Sequence, residues 1–236
     1  MKVKLISYSA PAEELEMNGI TDAQDLIAYC AHVSDPANEY NTETSEELIK
    51  HLTHMQHWGP LEMVSVCLQI TTTRDISRQM CRHRSFSFEE LPSWAHLWWS
   101  FEKDADTIPD MDFQIREARL LDTNNEHLTV DVDPNNAEQR EIGRLWEEKQ
   151  QAIITASKEA YIWAVSNGIE KSQARVVFPE GNTESRMYMN GTLRSWIHYI
   201  QLRTSPSRQK DHTLIAKACA EAIVKIFPLV TSVVSI

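Results

Sequence analysis

The sequence is poor in the features that announce common enzyme classes. Its six glycines form no G-x-G-x-x-G turn, no P-loop and no G-x-S-x-G elbow, which disfavours a Rossmann-type cofactor site. Four cysteines, Cys30, Cys67, Cys81 and Cys219, make no C-x-x-C pair. Each sits among apolar or helical neighbours, so reduced, buried thiols in a cytoplasmic protein are expected. No apolar run reaches the roughly 18 residues of a membrane span, and MKVKLISYSA lacks the apolar core of a signal peptide. Linkers rich in Pro, Gly or Ser and internal repeats are also missing. One domain over residues 1–236 is therefore expected, with the ordinary composition of a globular protein.

Positive charge is in deficit. Lys and Arg number 23 against 34 Asp and Glu, a formal net charge of -11. That balance disfavours binding to nucleic acid, which calls for a basic surface. The deficit is uneven. Residues 1–70 hold three basic and eleven acidic side chains, whereas residues 171–212 hold seven basic and three acidic ones. A locally basic region in an acidic chain suits a small anionic ligand.

Arginines mark that ligand's place. Arg74, Arg78 and Arg82 recur at i, i+4, i+8 after a strand pattern, so a helix would align them as one cationic stripe. Guanidinium forks match phosphate in bidentate geometry. Arg194 and His198, at i and i+4 with Arg203 just beyond, form a second cationic face. His51, His54 and His57 are spaced i, i+3, i+6, which points to different faces. With no H-E-x-x-H pattern, no metal site is expected. Cationic neighbours would lower the pKa of Cys81, but a small buried side chain explains it more simply.

Periodicity places the elements. Residues 2–8 read as a strand, 22–33 as a helix capped by Thr21, and 44–57 as a helix ended by Gly59-Pro60. Residues 62–71 alternate as a strand with Val64, Val66, Leu68 and Ile70 inward. The longest helix covers 137–166, with Ile142, Leu145, Trp146, Ile153 and Trp163 as its apolar face and Asn167-Gly168 as its cap. Further helices cover 169–177, 193–202 and 211–227, the last with Leu214, Ile215, Cys219, Ile223 and Ile226 inward. Residues 122–136 read as a polar loop. The class is α+β, a small central sheet flanked by several long helices.

These residues together resemble the flavin-dependent thymidylate synthases, whose signature is R-H-R-x7-S. Arg82-His83-Arg84 is intact. The likeness continues through Ala31-His32-Val33-Ser34, His57-Trp58-Gly59-Pro60-Leu61-Glu62, Gln79, Arg175 in Ala174–Pro179, Asn190–Arg203 and Gln209. It departs after Glu90, where Pro92 takes the signature serine position, Trp94 the phosphate-binding arginine position and Ala95 the tyrosine position. The resemblance implies FAD held by His57, Glu62, Arg82, His83, Arg84, Glu90, Arg194 and His198. It implies a nucleotide held by Gln79, Arg82, Glu90, Arg175 and Arg203, with Arg203 catalytic. It further implies dUMP as substrate, NADPH and methylenetetrahydrofolate as co-substrates, and a homotetramer with active sites at subunit interfaces. The altered loop raises two alternatives: transfer of a methyl or hydroxymethyl group to another pyrimidine nucleotide such as dCMP, or flavin and nucleotide binding without methyl transfer.

Overall fold

The computed structural model describes residues 1–90, 113–122, 129–205 and 209–230. The strands are β1 (Lys2–Tyr8), β2 (Ser65–Thr73), β3 (Ser87–Glu90), β4 (Arg119–Leu121), β5 (Thr129–Asp131) and β6 (Glu184–Thr192). The α-helices are α1 (Glu13–Met17), α2 (Ala23–Ala31), α3 (Ser45–His54), α4 (Arg74–Met80), α5 (Ala137–Ser166), α6 (Lys171–Ala174), α7 (Leu193–Thr204) and α8 (Lys210–Val224). One sheet has the order β1-β2-β6-β3, with β1 and β2 antiparallel, and β4 pairs with β5 separately. This is the α+β class expected from the pattern. No helix among the described residues is long and apolar enough to cross a membrane.

The chain clusters into two compact units. The first comprises Met1–Thr71, Met80–Glu89 and Met187–Ile236; the second comprises Thr72–Gln79 and Glu90–Arg186.

In the first unit, the alternation of β2 has its expected result. Val64, Val66, Leu68 and Ile70 are fully buried. Helix α7 starts where the Thr192 side chain caps the backbone N–H of Ser195. Its Trp196 is fully buried, and the indole Nε1–H donates to the Val66 carbonyl at 3.0 Å. The bond ties the helix to the strand while satisfying the one polar atom of the ring. Helix α8 packs on α7 and β1, and α2 packs on α3. Asp22, rather than Thr21, caps α2, accepting from the N–H groups of Gln24 and Asp25. Both candidates suit the role, and Asp22 is the one with extended backbone beside the first turn. In α8, Ile215, Cys219 and Ile223 are buried as expected, but Leu214 is exposed.

In the second unit, α5 has the bounds read from the sequence. Asn136 caps its start. A Schellman motif ends it: Gly168 sits at φ +79°, its N–H donates to Val165 O, and that of Ile169 donates to Ala164 O. Its orientation corrects the sequence reading. Ile142, Leu145, Trp146, Ile153 and Trp163 are exposed, and the buried residues are Gln150, Ile154, Ser157, Tyr161 and Ala164. The buried face carries a polar clamp that periodicity cannot recognise. The Gln150 side chain accepts from the Arg116 N–H at 2.9 Å and donates to the Arg116 carbonyl at 2.8 Å. Asn182 Nδ2 donates to the same Gln150 oxygen at 2.9 Å. Tyr161 packs on Phe178, and Phe178 on Phe113. Strand β5 lies within the segment read as a loop over 122–136, in a ribbon that only pairing with β4 defines.

One glycine is fixed by close approach. A Cβ on Gly191 would lie 2.4 Å from Phe86 Cδ1, and Phe86 is wedged against Trp196 with ring centroids 4.8 Å apart. Gly191→Ala must displace that ring. It is expected to destabilise the protein by about 1–3 kcal/mol, as overpacked cores do, measured by denaturant unfolding. An unchanged midpoint would show that Phe86 moves freely.

Candidate active site

Helix α7 presents two polar faces in the first unit. On one, Arg194 forms an ion pair with Glu62, which stands in the 3-10 turn Gly59–Glu62. One turn on, the His198 ring meets Trp58 edge-on at 4.7 Å. Burial, then the charge of Arg194, lowers the His198 pKa. His57 reaches this region by a second Schellman motif, not by the end of a helix through residue 57. Helix α3 stops at His54, Gln56 takes φ +55°, its N–H donates to Thr53 O and that of His57 donates to Leu52 O. A left-handed glutamine where glycine is usual is a strained backbone position. Lys50, His54, Gln56, Trp58, His198 and Gln201 line a cavity of about 600 Å³ beside it. Ammonium, imidazole, amide and indole groups together suit an anionic ligand with a flat ring system.

The other face carries Arg203. Its Nε and one terminal nitrogen approach the same atom, His83 Nε2, at 3.1 and 2.9 Å. An imidazole nitrogen facing two guanidinium N–H groups serves as the acceptor, so His83 is neutral with its proton on Nδ1. Burial first, then the Arg203 charge, pushes the His83 pKa below its ordinary value. Arg82 and Arg84 flank it as exposed side chains.

The second unit holds its own cationic cavity, about 410 Å³, whose lining includes Arg74, Arg78, Gln173, Arg175, Phe178 and Thr183. Arg78 is ion-paired with Glu180. Gln79 is half-buried on the same helix. Glu90 is anchored at one oxygen by the hydroxyls of Ser77 and Ser185, both at 2.6 Å.

The sequence-derived residues therefore divide. His57, Glu62, Arg82, His83, Arg84, Arg194, His198 and Arg203 lie in the first unit; Gln79, Glu90 and Arg175 lie in the second. Glu62 meets Arg194, and His83 meets Arg203. The i, i+4, i+8 stripe is corrected: α4 ends at Met80, so Arg82 has left the helix that carries Arg74 and Arg78. Those two arginines line the cavity with Arg175 and belong among the candidate residues. The signal for them was the same i, i+4 spacing. The unusual positions Pro92, Trp94 and Ala95 lie outside the described residues.

A family model described as thymidylate synthase complementing protein matches residues 16–229. A probable flavin-dependent thymidylate synthase of Paramecium bursaria Chlorella virus 1 is 36% identical over 228 residues, covering 97% of this chain and 96% of that protein. The chain belongs to the flavin-dependent thymidylate synthase family. Another family member, from Synechocystis sp., is 35% identical over 232 residues, 98% of each chain. The fold is also that of the UMP/dUMP methylase PolB from Streptomyces cacaoi, solved with 5-Br dUMP. Its TM-score is 0.69 at 20% identity, with 98% of this chain and 93% of that one covered.

His212, fully buried, is pushed from 6.5 down to about 3 by burial, then by the Arg203 charge, and further by His83 once that imidazole itself takes up a proton. For both His83 and His212 the folded chain binds protons less readily than the unfolded chain. Stability is then full above about pH 6.5 and falls as the pH drops below it, with the His212 contribution extending towards about 3. Melting temperature is expected to be level from about pH 8 to 7 and to decline below about 6. A curve that stays level to about pH 4 would contradict the neutral assignment.

Proposed function

We propose that this chain methylates dUMP to dTMP with FAD as cofactor, methylenetetrahydrofolate as carbon donor and NADPH as reductant. The observation that carries the reading is Arg203 held on the His83 lone pair, inside an intact Arg-His-Arg signature. A fixed guanidinium stabilises negative charge developing on the pyrimidine and so makes its C5 carbon nucleophilic. That route requires no thiol attack, in keeping with cysteines whose pKa values burial raises at Cys30, Cys67 and Cys219. Relatives at 35–36% identity over nearly the whole chain, named for this activity, support the reading.

The donor set fits a flavin dinucleotide. His57, Glu62, Arg82, His83, Arg84, Arg194 and His198 in the first unit would hold it. The cavity beside Trp58 and His198 offers the Lys50 ammonium for a pyrophosphate and rings for a heterocycle. Bound FAD supplies hydride transfer. In the second unit, Arg175, Gln79 and Glu90, joined by Arg74 and Arg78, bind the nucleotide, the guanidinium groups taking its phosphate. In the first unit, Arg203 supplies the guanidinium that stabilises charge developing on a pyrimidine. With Trp94 in the usual arginine position, Arg74 and Arg78 supply guanidinium groups that the loop lacks.

The same reading makes residues 1–236 one catalytic domain, supported by a family match that spans both compact units. It makes the assembly a homotetramer with active sites at subunit interfaces, supported by the apolar face that α5 leaves exposed, Trp163 at 64%. Free cysteines support a cytoplasmic setting.

The purified protein is expected to be yellow and to release FAD rather than FMN on denaturation. Arg203→Ala should keep the flavin and lose about 100- to 1,000-fold in turnover. Arg74→Ala and Arg175→Ala should each weaken dUMP binding about tenfold, read by titrating the flavin absorbance. A colourless protein that gains no flavin spectrum with added FAD overturns the cofactor assignment. An Arg203→Ala enzyme with normal turnover overturns the mechanism.

A further inference from the structure

The buried face of α8 is built from Ile215, Ala216, Cys219, Ala220 and Ile223. His212 continues that face one turn earlier, fully buried, where the helix period calls for another apolar side chain. Burying an imidazole is costly unless its nitrogens are bonded. Its Nε2 lies 3.1 Å from the hydroxyl of Tyr199, itself almost wholly buried. The Tyr199 ring meets the His83 ring edge-on, with centroids 5.0 Å apart and planes at 86°. His83 then presents Nε2 to both N–H groups of Arg203. All four residues belong to the first unit.

We propose that His212 is a positioning residue: by holding the Tyr199 hydroxyl it fixes the ring that keeps His83 turned as the acceptor for Arg203. The row runs from His212 to Tyr199 to His83 to Arg203, and the His212 and His83 rings also meet edge-on with centroids 6.4 Å apart. An imidazole that rotated by half a turn would put a carbon where the guanidinium needs a lone pair. The Tyr199 ring packed against His83 opposes that rotation, and the bond at its hydroxyl fixes the far end of the ring. Phe86 and Trp196 grip its sides at 6.0 and 5.9 Å, but neither reaches the hydroxyl. His212 does. Among the described residues, the charged and titratable groups facing this row include Arg203, which bears on His83, Tyr199 and His212, Cys219, which bears on Tyr199, and His83, which bears on His212. An apolar residue at 212 would pack as well against Ile215 and Cys219 and would leave the hydroxyl without that bond.

The proposal rests on the catalytic role of Arg203 given above, so its test includes a readout independent of turnover. In the flavin-loaded protein labelled with ¹⁵N-histidine, His83 should show a single neutral tautomer with the proton on Nδ1. Tyr199→Phe keeps the ring and removes the hydroxyl; His212→Leu removes the partner. Each should turn the His83 signal into a mixture of tautomers. Each should lower kcat by about tenfold with KM for dUMP within about twofold, the signature of a displaced group acting in the transition state. The double variant should be no worse than either single one, and His212→Gln should restore most of kcat by bonding the hydroxyl again. A folded Tyr199→Phe protein with an unchanged His83 tautomer overturns the proposal, as does an effect on melting temperature with kcat unaltered. If the wild-type chain fails to convert dUMP, the function fails, while the tautomer measurement still decides the positioning role.

Discussion

Two N–H groups of Arg203 share one lone pair on His83, and the chemistry assigned to this chain depends on that contact. It requires a neutral imidazole, because an imidazolium would offer a proton where a lone pair is needed and add a second cation beside the guanidinium. The fold meets the requirement by burial. His83 sits against Tyr199; Tyr199 packs with Trp196 and Phe86; Phe86 lies so close to Gly191 that only a residue without a Cβ fits. Trp196 is bonded to β2 through Val66. A short stretch of backbone, Asn190 to Arg203, thus supplies the space, the aromatic wall and the guanidinium together.

Charge is used differently in the two units. The chain is acidic overall, yet in the second unit Arg74, Arg78 and Arg175 converge on one cavity. In the first unit Arg194 is ion-paired with Glu62 at a partly exposed position, where such a pair contributes little to stability. Its value there is orientation: it holds a cation near His198 and Trp58 without burying either charge. In the second unit Arg78 is likewise ion-paired, with Glu180, while the three guanidinium groups share one cavity. Grouped in that way they offer a seat for a phosphate.

Much of this was legible in the sequence because it follows from short-range rules. The alternation of Val64, Val66, Leu68 and Ile70 gave the inward face of β2, and Asn167-Gly168 gave the end of α5. The α5 face was misread because Ile142, Trp146 and Trp163 follow a helical period whatever they pack against. The face that is buried instead is anchored by Gln150, whose partner Arg116 is 34 residues away. His57 was placed correctly beside the Gly59-Pro60 turn, but its Schellman entry through a left-handed Gln56 carries no sequence signal, since glycine is the usual marker. The arginine stripe was right for Arg74 and Arg78 and failed at Arg82, because periodicity does not say where a helix stops. His212 had no motif around it at all. Its role is visible only once α7 and α8 are packed together and the Tyr199 hydroxyl is found at its ring.

In the route proposed for this chain, Arg203 stabilises the charge that develops as dUMP is methylated, and no covalent bond forms to the protein. Anaerobic turnover with dUMP, quenched by denaturation, tests it when the masses of both the nucleotide and the polypeptide are recorded. The expected result is a nucleotide heavier by one methylene group, dTMP, and a polypeptide of unchanged mass. An unaltered nucleotide, or a polypeptide carrying the nucleotide on Cys81 or another thiol, would contradict it.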